Sequence, residues 1–211
     1  MHFDIITIFP DIFKGFLQES LLARAQKKKL ITIGVHNLRQ WTSDKHKTVD
    51  DRPFGGGPGM VLKVEPIFKA LKTLKKRVGK SRVILFSPRG KPFIQNDAKR
   101  LAKYDQLILI CGRYEGVDER VADFIADEII SIGDFVLNGG EVAAMAVMEA
   151  VSRMIPGFIA KSESTTKTDH AQYTRPEVLI INKKKARVPP VLLSGNHGKI
   201  EQWREKHKKS T

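Results

Sequence analysis

Three glycine-bearing segments rich in polar side chains follow predicted β-strands. They are LFSPRG (85–90), CGRYEGVDER (111–120) and SIGDFVLNGGE (131–141). Open α/β sheets bind ligands outside the carboxyl ends of their strands, and glycine lets the backbone approach a ligand closely. Each segment alone is also compatible with a simple tight turn between a strand and a helix. Taken together, the three segments predict one ligand-binding pocket at one edge of a sheet.

The second of these segments is dense in functional groups over residues 113–120. Asp118 and Glu119 are typical of a helix N-terminus, where carboxylates complement the helix dipole. Arg113 and Glu115 lie before that helix and lack this explanation. We therefore interpret Arg113 and Glu115 as candidate ligand contacts.

A fourth segment, VDDRPFGGGPGM (49–60), has four glycines and two prolines around a single aromatic residue. This composition is typical of a shaped loop more than of a flexible linker. Asp50 and Asp51 could accept hydrogen bonds from the edge of a base. The whole stretch 39–60 lacks sustained periodicity, and a loop of that length inside a compact domain is usually functional or disordered.

Apolar runs of strand length alternate along the chain with segments of helical periodicity. The predicted strands are 3–9, 31–38, 81–88, 106–112 and 128–137, and the predicted helices are 12–28, 64–77, 94–104, 119–127 and 139–157. This alternation predicts an α/β fold with a parallel sheet and helices on both faces. We expect an α/β domain over 1–160, a polar linker over 161–176 and a small, basic, helical C-terminal domain over 177–211.

The charge balance indicates a polyanionic partner. The chain has 37 Lys and Arg against 23 Asp and Glu, a formal net charge of +14 and a pI near 9.9. Such an excess causes self-repulsion in the folded state, and nucleic acid would relieve it. A basic soluble protein without such a partner is the alternative.

The single cysteine, Cys111, cannot form an internal disulfide or a zinc cluster, which favours a reducing compartment. No apolar run is long enough to span a bilayer, so we expect no membrane partner. The first residues, MHFDIITIFP, lack the basic start of a signal peptide and predict a strand. We expect a cytoplasmic protein.

Motifs of several other enzyme classes do not occur in the sequence: GxxxxGK, GxGxxG, HExxH and GxSxG. An ordered series of other blocks does occur, and it resembles the bacterial tRNA (guanine-N1)-methyltransferase family, TrmD, of the SPOUT class. The blocks are FDIITIFP, SLLARA, VHNLRQWTSDKHKTVDDRPFGGGPGM, FSPRG, CGRYEGVDERV, SIGDFVLNGGE, SRMIPG, QYTRPEV and VLLSGNHGKIEQWR.

The resemblance implies a sheet with a deep trefoil knot and a homodimer whose active site takes residues from both chains. It also implies S-adenosylmethionine (AdoMet) as methyl donor, guanosine-37 of tRNA as acceptor at N1, and a C-terminal domain that grips the anticodon stem. The positions that match the family's AdoMet site are Leu85, Phe86, Ser87, Pro88, Gly112, Arg113, Tyr114, Glu115, Ser131, Ile132, Gly133, Phe135, Leu137, Gly139 and Gly140.

Two residues match the family's catalytic positions. Arg153, in SRMIPG, matches the arginine that serves the developing charge, although an arginine at a helix C-terminus could instead satisfy terminal carbonyls. Asp169 is the candidate general base, because it is the only carboxylate between Glu163 and Glu177. The segment SESTTKTDHAQYTRP lacks the family's DSF and GLL portions, and Asp169 aligns equally well with a later, non-catalytic acidic residue.

Candidate RNA contacts lie in two regions matched by the family. They are His46, Lys47, Asp50, Pro58 and Gly59 in the first region and Ser194, Asn196 and His197 in the second. SGNH is also a good helix N-cap. The family implies possible dependence on Mg²⁺, although no carboxylate cluster in the sequence predicts a metal site. Two alternatives remain open: a knotted methyltransferase acting on another RNA, and an RNA-binding module with weakened activity.

Overall fold

The computed structural model describes residues 1–75, 79–159 and 170–208. Contacts between residues divide the chain into two compact units, Met1–Ser162 and Glu163–Thr211. Residues 161–169 of the predicted linker 161–176 lie outside the described residues. No helix in the described part of the chain has the length and apolar character needed to cross a membrane.

The first unit is built on a five-stranded sheet. Its strands are β1 (His2–Thr7), β2 (Thr32–Asn37), β5 (Ser81–Pro92), β6 (Gln106–Ile110) and β7 (Glu128–Ser131). Their order is β2-β1-β6-β5-β7, and every adjacent pair is parallel. The prediction of a parallel central sheet is confirmed.

Helices cover both faces of this sheet. The helices of the first unit are α1 (Lys14–Gln18), α2 (Ser20–Lys27), α3 (Val64–Leu74), α4 (Gln95–Leu101), α5 (Glu119–Phe124) and α6 (Glu141–Ser152). Side chains alternate between faces along a strand, so Ile5 belongs to one buried cluster and Ile6 to the other. The first cluster includes residues of α2, α4 and α6, and the second includes residues of α3 and α5. The expected layers are therefore confirmed.

Strand β5 is longer than the sequence predicts. Its pairing with β7 shifts register between Phe86 and Lys91, and the strand then continues to Pro92. The SPRG turn expected to end the strand is instead a bulge within it. Gly90 makes this possible, because a Cβ there would lie 2.6 Å from the carbonyl carbon of Ile130.

The predicted helix 12–28 is interrupted. A 3-10 helix at Pro10–Phe13 leads into α1, and α2 starts after a break at Glu19, whose backbone is extended. Ser20 has a φ of +56°, which a continuous right-handed helix does not allow. The apolar periodicity of the sequence continues across the break, so this periodicity does not predict the break.

The long predicted loop 39–60 contains short ordered pieces. A 3-10 helix at Leu38–Trp41 opens it, and β3 (Asp50–Asp51) pairs antiparallel with β4 (Val61–Leu62). This pairing ties both ends of the glycine-rich segment together, so the segment projects as a closed loop.

The second unit is not purely helical as predicted. It contains an antiparallel hairpin of β8 (Val178–Ile181) and β9 (Lys184–Arg187), followed by α7 (Pro190–Leu193) and α8 (His197–Lys206). The hairpin turns through Asn182 and Lys183, both with positive φ. In VLIINKKKAR the apolar and cationic residues form separate runs, so no alternating pattern marks the strands.

Candidate functional site

The bulge of β5 and the segments that follow β6 and β7 open onto one cavity of about 600 Å³. This volume lies within the range of about 300 to 1,000 Å³ that is usual for small-molecule sites. All the residues matched above to an AdoMet site line this cavity, and they come from all three glycine-bearing segments. They are Leu85, Phe86, Ser87, Pro88, Gly112, Arg113, Tyr114, Glu115, Ser131, Ile132, Gly133, Phe135, Leu137, Gly139 and Gly140.

The segments after β6 and β7 contact each other, although β5 lies between these two strands in the sheet. The backbone N–H of Gly140 donates to the carbonyl of Gly112 at 2.9 Å, and Arg113 and Gly139 form an antiparallel bridge. A Cβ on Gly140 would lie 2.8 Å from Cα of Cys111. The chain that follows β7 therefore crosses β5, and glycine allows the close approach.

A tight turn follows β6 at the cavity wall. The N–H of Gly116 donates to the carbonyl of Arg113 at 3.0 Å, and Tyr114 has a φ of +60°. A positive φ is costly for a residue other than glycine and persists where surrounding structure holds it. The turn leaves the side chains of Tyr114 and Glu115 exposed at the cavity.

A buried carboxylate fixes Arg113 in this wall. Nε of Arg113 donates to both carboxylate oxygens of Glu141, at 3.1 and 2.9 Å, and the side chain of Glu141 is only 1% exposed. The hydroxyl of Thr7 donates to the same carboxylate at 2.7 Å. The guanidinium of Arg113 also lies over the ring of Phe9, 4.8 Å from its centroid. The ends of β1 and β6 and the start of α6 are thus joined by one polar network.

A second ion pair lies in the cavity wall. Arg89, in the bulge of β5, donates to Glu119 at 2.6 Å. Glu119 is the first residue of α5, as expected for a carboxylate that complements a helix N-terminus. This pair is more exposed than the pair of Arg113 and Glu141.

The glycine-rich loop is joined to the cavity by backbone hydrogen bonds. Glu115 donates its N–H to the carbonyl of Met60 at 3.0 Å, and Leu62 donates to Gly116 at 3.0 Å. Gly59 has a φ of +75° and lies against the side chain of Glu115, where a Cβ would come within 2.6 Å of Oε1. The candidate substrate loop and the candidate cofactor cavity therefore meet at Glu115.

The family model for tRNA (Guanine-1)-methyltransferase TrmD matches residues 1–211. The chain belongs to this family. It is 51% identical over 213 residues to the tRNA (guanine-N(1)-)-methyltransferase of Dictyoglomus turgidum, covering 98% of this chain and 84% of that protein. Proteins with the same name from Citrifermentans bemidjiense and Geobacter sulfurreducens are 49% and 47% identical, covering 98% and 97% of this chain and 84% of each relative.

Two further positions matched to the TrmD family lie in an ordered loop. His46 and Lys47 are both exposed, and Asp44 holds the loop by accepting hydrogen bonds from the N–H and hydroxyl of Thr48. These hydrogen bonds lower the pKa of Asp44 below its usual value, and the bond from the Thr48 hydroxyl has the largest effect. Arg39 donates to the carbonyl of Lys47 at 3.0 Å. Asp50 lies nearby in sequence, in β3, opposite Leu62.

The two candidate catalytic residues are not brought together in the described cavity. Arg153 is the C-cap of α6, whose first residues lie at the cavity, and its own N–H donates to the carbonyl of Glu149. Arg153 is not one of the residues that line the cavity. Asp169 lies outside the described residues.

The three candidate RNA contacts of the second unit form a helix start. Asn196 is the N-cap of α8 and accepts a hydrogen bond from the N–H of Lys199 at 3.1 Å. Ser194 accepts from the N–H of Asn196 at 3.2 Å, and His197 is the first residue of the helix. The capping interpretation of SGNH is confirmed, and the side chains of Ser194 and His197 are exposed.

The described residues hold no group of three or more His, Cys, Asp or Glu side chains arranged to bind a metal ion. The possible Mg²⁺ dependence implied by the TrmD family therefore finds no matching ligand set within this part of the chain.

Several residues of the site were not identified from the sequence. Glu141 holds Arg113 and accepts a hydrogen bond from Thr7. Arg89 and Glu119 form the second ion pair of the cavity wall. Glu141 is the last residue of SIGDFVLNGGE, so its place at a predicted helix start was a usable signal. No local signal could identify Thr7, because Thr7 and its partner Glu141 are 134 positions apart in the sequence.

Proposed function

We propose that this protein transfers the methyl group of AdoMet to N1 of guanosine-37 in tRNA, next to the anticodon. The observation that carries the proposal is the junction of Gly59 and Glu115, in a chain matched to the TrmD family over residues 1–211. At this junction a cavity of cofactor size adjoins a glycine-rich loop able to approach a base.

The cavity suits AdoMet in shape and chemistry. Apolar side chains such as Leu85, Ile132 and Leu137 line it, and bare backbone at Gly139 and Gly140 can offer N–H and C=O groups to an adenine or ribose edge. A side chain at either glycine would collide with the wall. When bound, AdoMet supplies a methyl group already activated on a sulfonium.

The residues of the chain must then act on the guanine. N1 of guanine carries a proton at neutral pH, so a carboxylate has to remove it, and negative charge develops on O6 as it leaves. We assign Asp169 as the general base and Arg153 as the cation that stabilises the charge on O6. The loops that carry Gly59 and Glu115 hold the base in line with the methyl group.

The position of Arg153 supports a homodimer with shared sites. Helix α6 has 12 residues, about 18 Å of rise, and it separates Arg153 from the cavity of its own chain. We propose that Arg153 of one copy serves the cavity of the other. Three exposed apolar side chains give such a contact a suitable surface. Phe9 and Ile12 lie at the 3-10 helix Pro10–Phe13, and Val142 lies in α6.

We also propose that the sheet contains the trefoil knot of the SPOUT class. The support is the contact of Gly112 with Gly140, which requires the chain after β7 to cross β5. Deep knots are exceptional among folds, and here the crossing would shape the cavity itself.

We assign tRNA binding to both parts of the chain. Residues 1–160 would form the AdoMet-binding domain, 161–176 the interdomain segment and 177–211 the basic tRNA-binding domain. The net charge of +14 supports a polyanionic substrate. The proposed contacts to the anticodon stem-loop are His46, Lys47, Asp50, Pro58, Gly59, Ser194, Asn196 and His197.

The deciding experiment measures methyl transfer from labelled AdoMet to a tRNA transcript that carries G at positions 36 and 37. The control is the same transcript with A at 37. We expect incorporation as N1-methylguanosine only with G37. Incorporation that is indifferent to position 37 would mean that the RNA substrate is a different one. No incorporation, with a folded protein that binds AdoMet, would mean either a different RNA substrate or a chain that lacks its general base.

A further inference from the structure

The charged side chains around the cavity are arranged in pairs, with one exception. Among the described residues that line it, Arg89 pairs with Glu119 at 2.6 Å and Arg113 pairs with the buried Glu141 at 2.9 Å. Glu115 also lines the cavity and forms no ion pair with another described residue. Each arginine is thus neutralised, and one negative charge remains.

This balance matters because the two ligands of a methyltransferase cycle differ by one charge. AdoMet carries a sulfonium and has one positive charge more than the product S-adenosylhomocysteine, whose sulfur is a neutral thioether. In a partly enclosed cavity, charges interact more strongly than in water. A cavity with an unpaired arginine would repel AdoMet and leave the product unaffected.

We propose that Glu141 is a positioning residue for Arg113 that also cancels its charge, and that it thereby sets the preference of the cavity for the sulfonium substrate over the thioether product. This inference rests on the proposed function, since it takes AdoMet as the ligand. It gives the last residue of the GGE segment a role in selecting between two ligands of nearly identical shape.

The geometry leaves part of the Arg113 guanidinium free to act on a ligand. Nε of Arg113 is used by Glu141, and Nη1 donates to the carbonyl of Asn138 at 3.4 Å. The remaining N–H groups of the guanidinium can donate to a ligand while the pair as a whole carries no net charge. A Cβ on Gly139 would lie 2.5 Å from Oε2 of Glu141, so the pair depends on glycine at that position.

The test compares dissociation constants of AdoMet and S-adenosylhomocysteine, measured by isothermal titration calorimetry without RNA. Glu141→Gln keeps the shape of the side chain and leaves Arg113 charged. We expect the dissociation constant of AdoMet to rise by about tenfold relative to that of S-adenosylhomocysteine. Thr7→Val is the matched control, because it removes the other hydrogen bond to Glu141 without changing a charge. It should leave the ratio of the two constants at the wild-type value.

A second variant, in which the pair is again neutral, keeps the test decisive if Glu141→Gln is destabilised. Arg113→Met combined with Glu141→Gln removes both charges. The ratio should return towards the wild-type value, although we expect both ligands to bind less tightly. Equal weakening of both ligands by Glu141→Gln, or no recovery in the double variant, would overturn the inference and leave Glu141 a purely structural role. A wild-type protein that binds neither ligand would instead overturn the proposed function.

Discussion

Gly59 and Glu115 meet more closely than any other residue at position 59 would allow. A Cβ there would lie 2.6 Å from both Cγ and Oε1 of Glu115, and the φ of Gly59 is +75°. The same contact is held by the hydrogen bond from the N–H of Glu115 to the carbonyl of Met60. The position of the Glu115 carboxylate in the cavity wall therefore depends on the glycine-rich loop.

We predict that Gly59→Ala will lower kcat/KM for methyl transfer by at least about tenfold, because the new methyl group displaces Glu115 or the loop. Gly56→Ala is the matched control. Gly56 has a similar φ of +80°, but nothing lies within 4 Å of a Cβ there. Steady-state kinetics should show a clearly smaller loss for Gly56→Ala. Equal losses would mean that backbone strain, and not the contact with Glu115, is responsible.

The convergence of the three loops was predictable, but the contacts that fix their side chains were not. QLILI (106–110) is apolar throughout, which indicates a strand buried on both faces, and strands of that kind place the segments that follow them at one edge. The pairing of Arg113 with Glu141 depends on the chain crossing over β5. No local pattern encodes a crossing.

The bulge of β5 and the C-terminal hairpin show a different limit. Glycine and proline in SPRG favour a turn, and only the contact of Gly90 with the backbone of Ile130 shows that the strand continues. In the hairpin, Val178–Ile181 are all exposed, so burial did not impose an alternating pattern on them. Hydrophobic patterns in a sequence reflect burial, so they do not predict a strand whose residues are all exposed.

We predict that Gly90→Ala will destabilise the fold strongly, by about 3 kcal/mol or more, because its Cβ would meet backbone atoms that cannot rotate away. Gly15→Ala provides the comparison. Gly15 lies in α1 with nothing within 4 Å of a Cβ, so alanine there should stabilise by about 0.5 to 1 kcal/mol. Urea unfolding monitored by circular dichroism measures both changes. Similar free energies for Gly90→Ala and wild type would show that the bulge can rearrange.

We predict a pH-dependent loss of stability through Glu128, which accepts from Arg82 at 2.6 Å and from Arg100 at 2.6 and 2.7 Å. Burial alone would raise the pKa of Glu128, but the hydrogen bonds from Arg100 and Arg82 outweigh it and lower the pKa. A carboxyl group with a lowered pKa stabilises the fold fully above its unfolded pKa of about 4.3 and loses that contribution as the pH falls further.

Glu128→Gln should therefore reduce the free energy of unfolding by about 2 kcal/mol at pH 7, and the difference from wild type should shrink below about pH 4. Glu65→Gln is the control, since it removes an exposed pair with Lys69 one helical turn away. That variant should show no measurable change at pH 7. A difference for Glu128→Gln that is constant down to pH 3 would contradict the assigned ionisation.

We predict that the loop carrying His46 and Lys47 contributes to RNA binding only while Asp44 orders it. Asp44→Ala removes the hydrogen bonds to the N–H and hydroxyl of Thr48 and should raise KM for tRNA by about three- to tenfold. The dissociation constant of AdoMet should not change, because this loop does not line the cavity. Loss of a carboxylate also adds one unit of positive charge, which by itself would strengthen RNA binding.

Asp11→Ala separates these two effects. It makes the same change in net charge at another exposed carboxylate, one paired with Lys14. Its KM for tRNA should stay equal to that of wild type or fall slightly, and the measurement should be made at two salt concentrations so that the charge effect is visible. A KM for Asp44→Ala that matches that of Asp11→Ala would show that the order of this loop is irrelevant to the RNA.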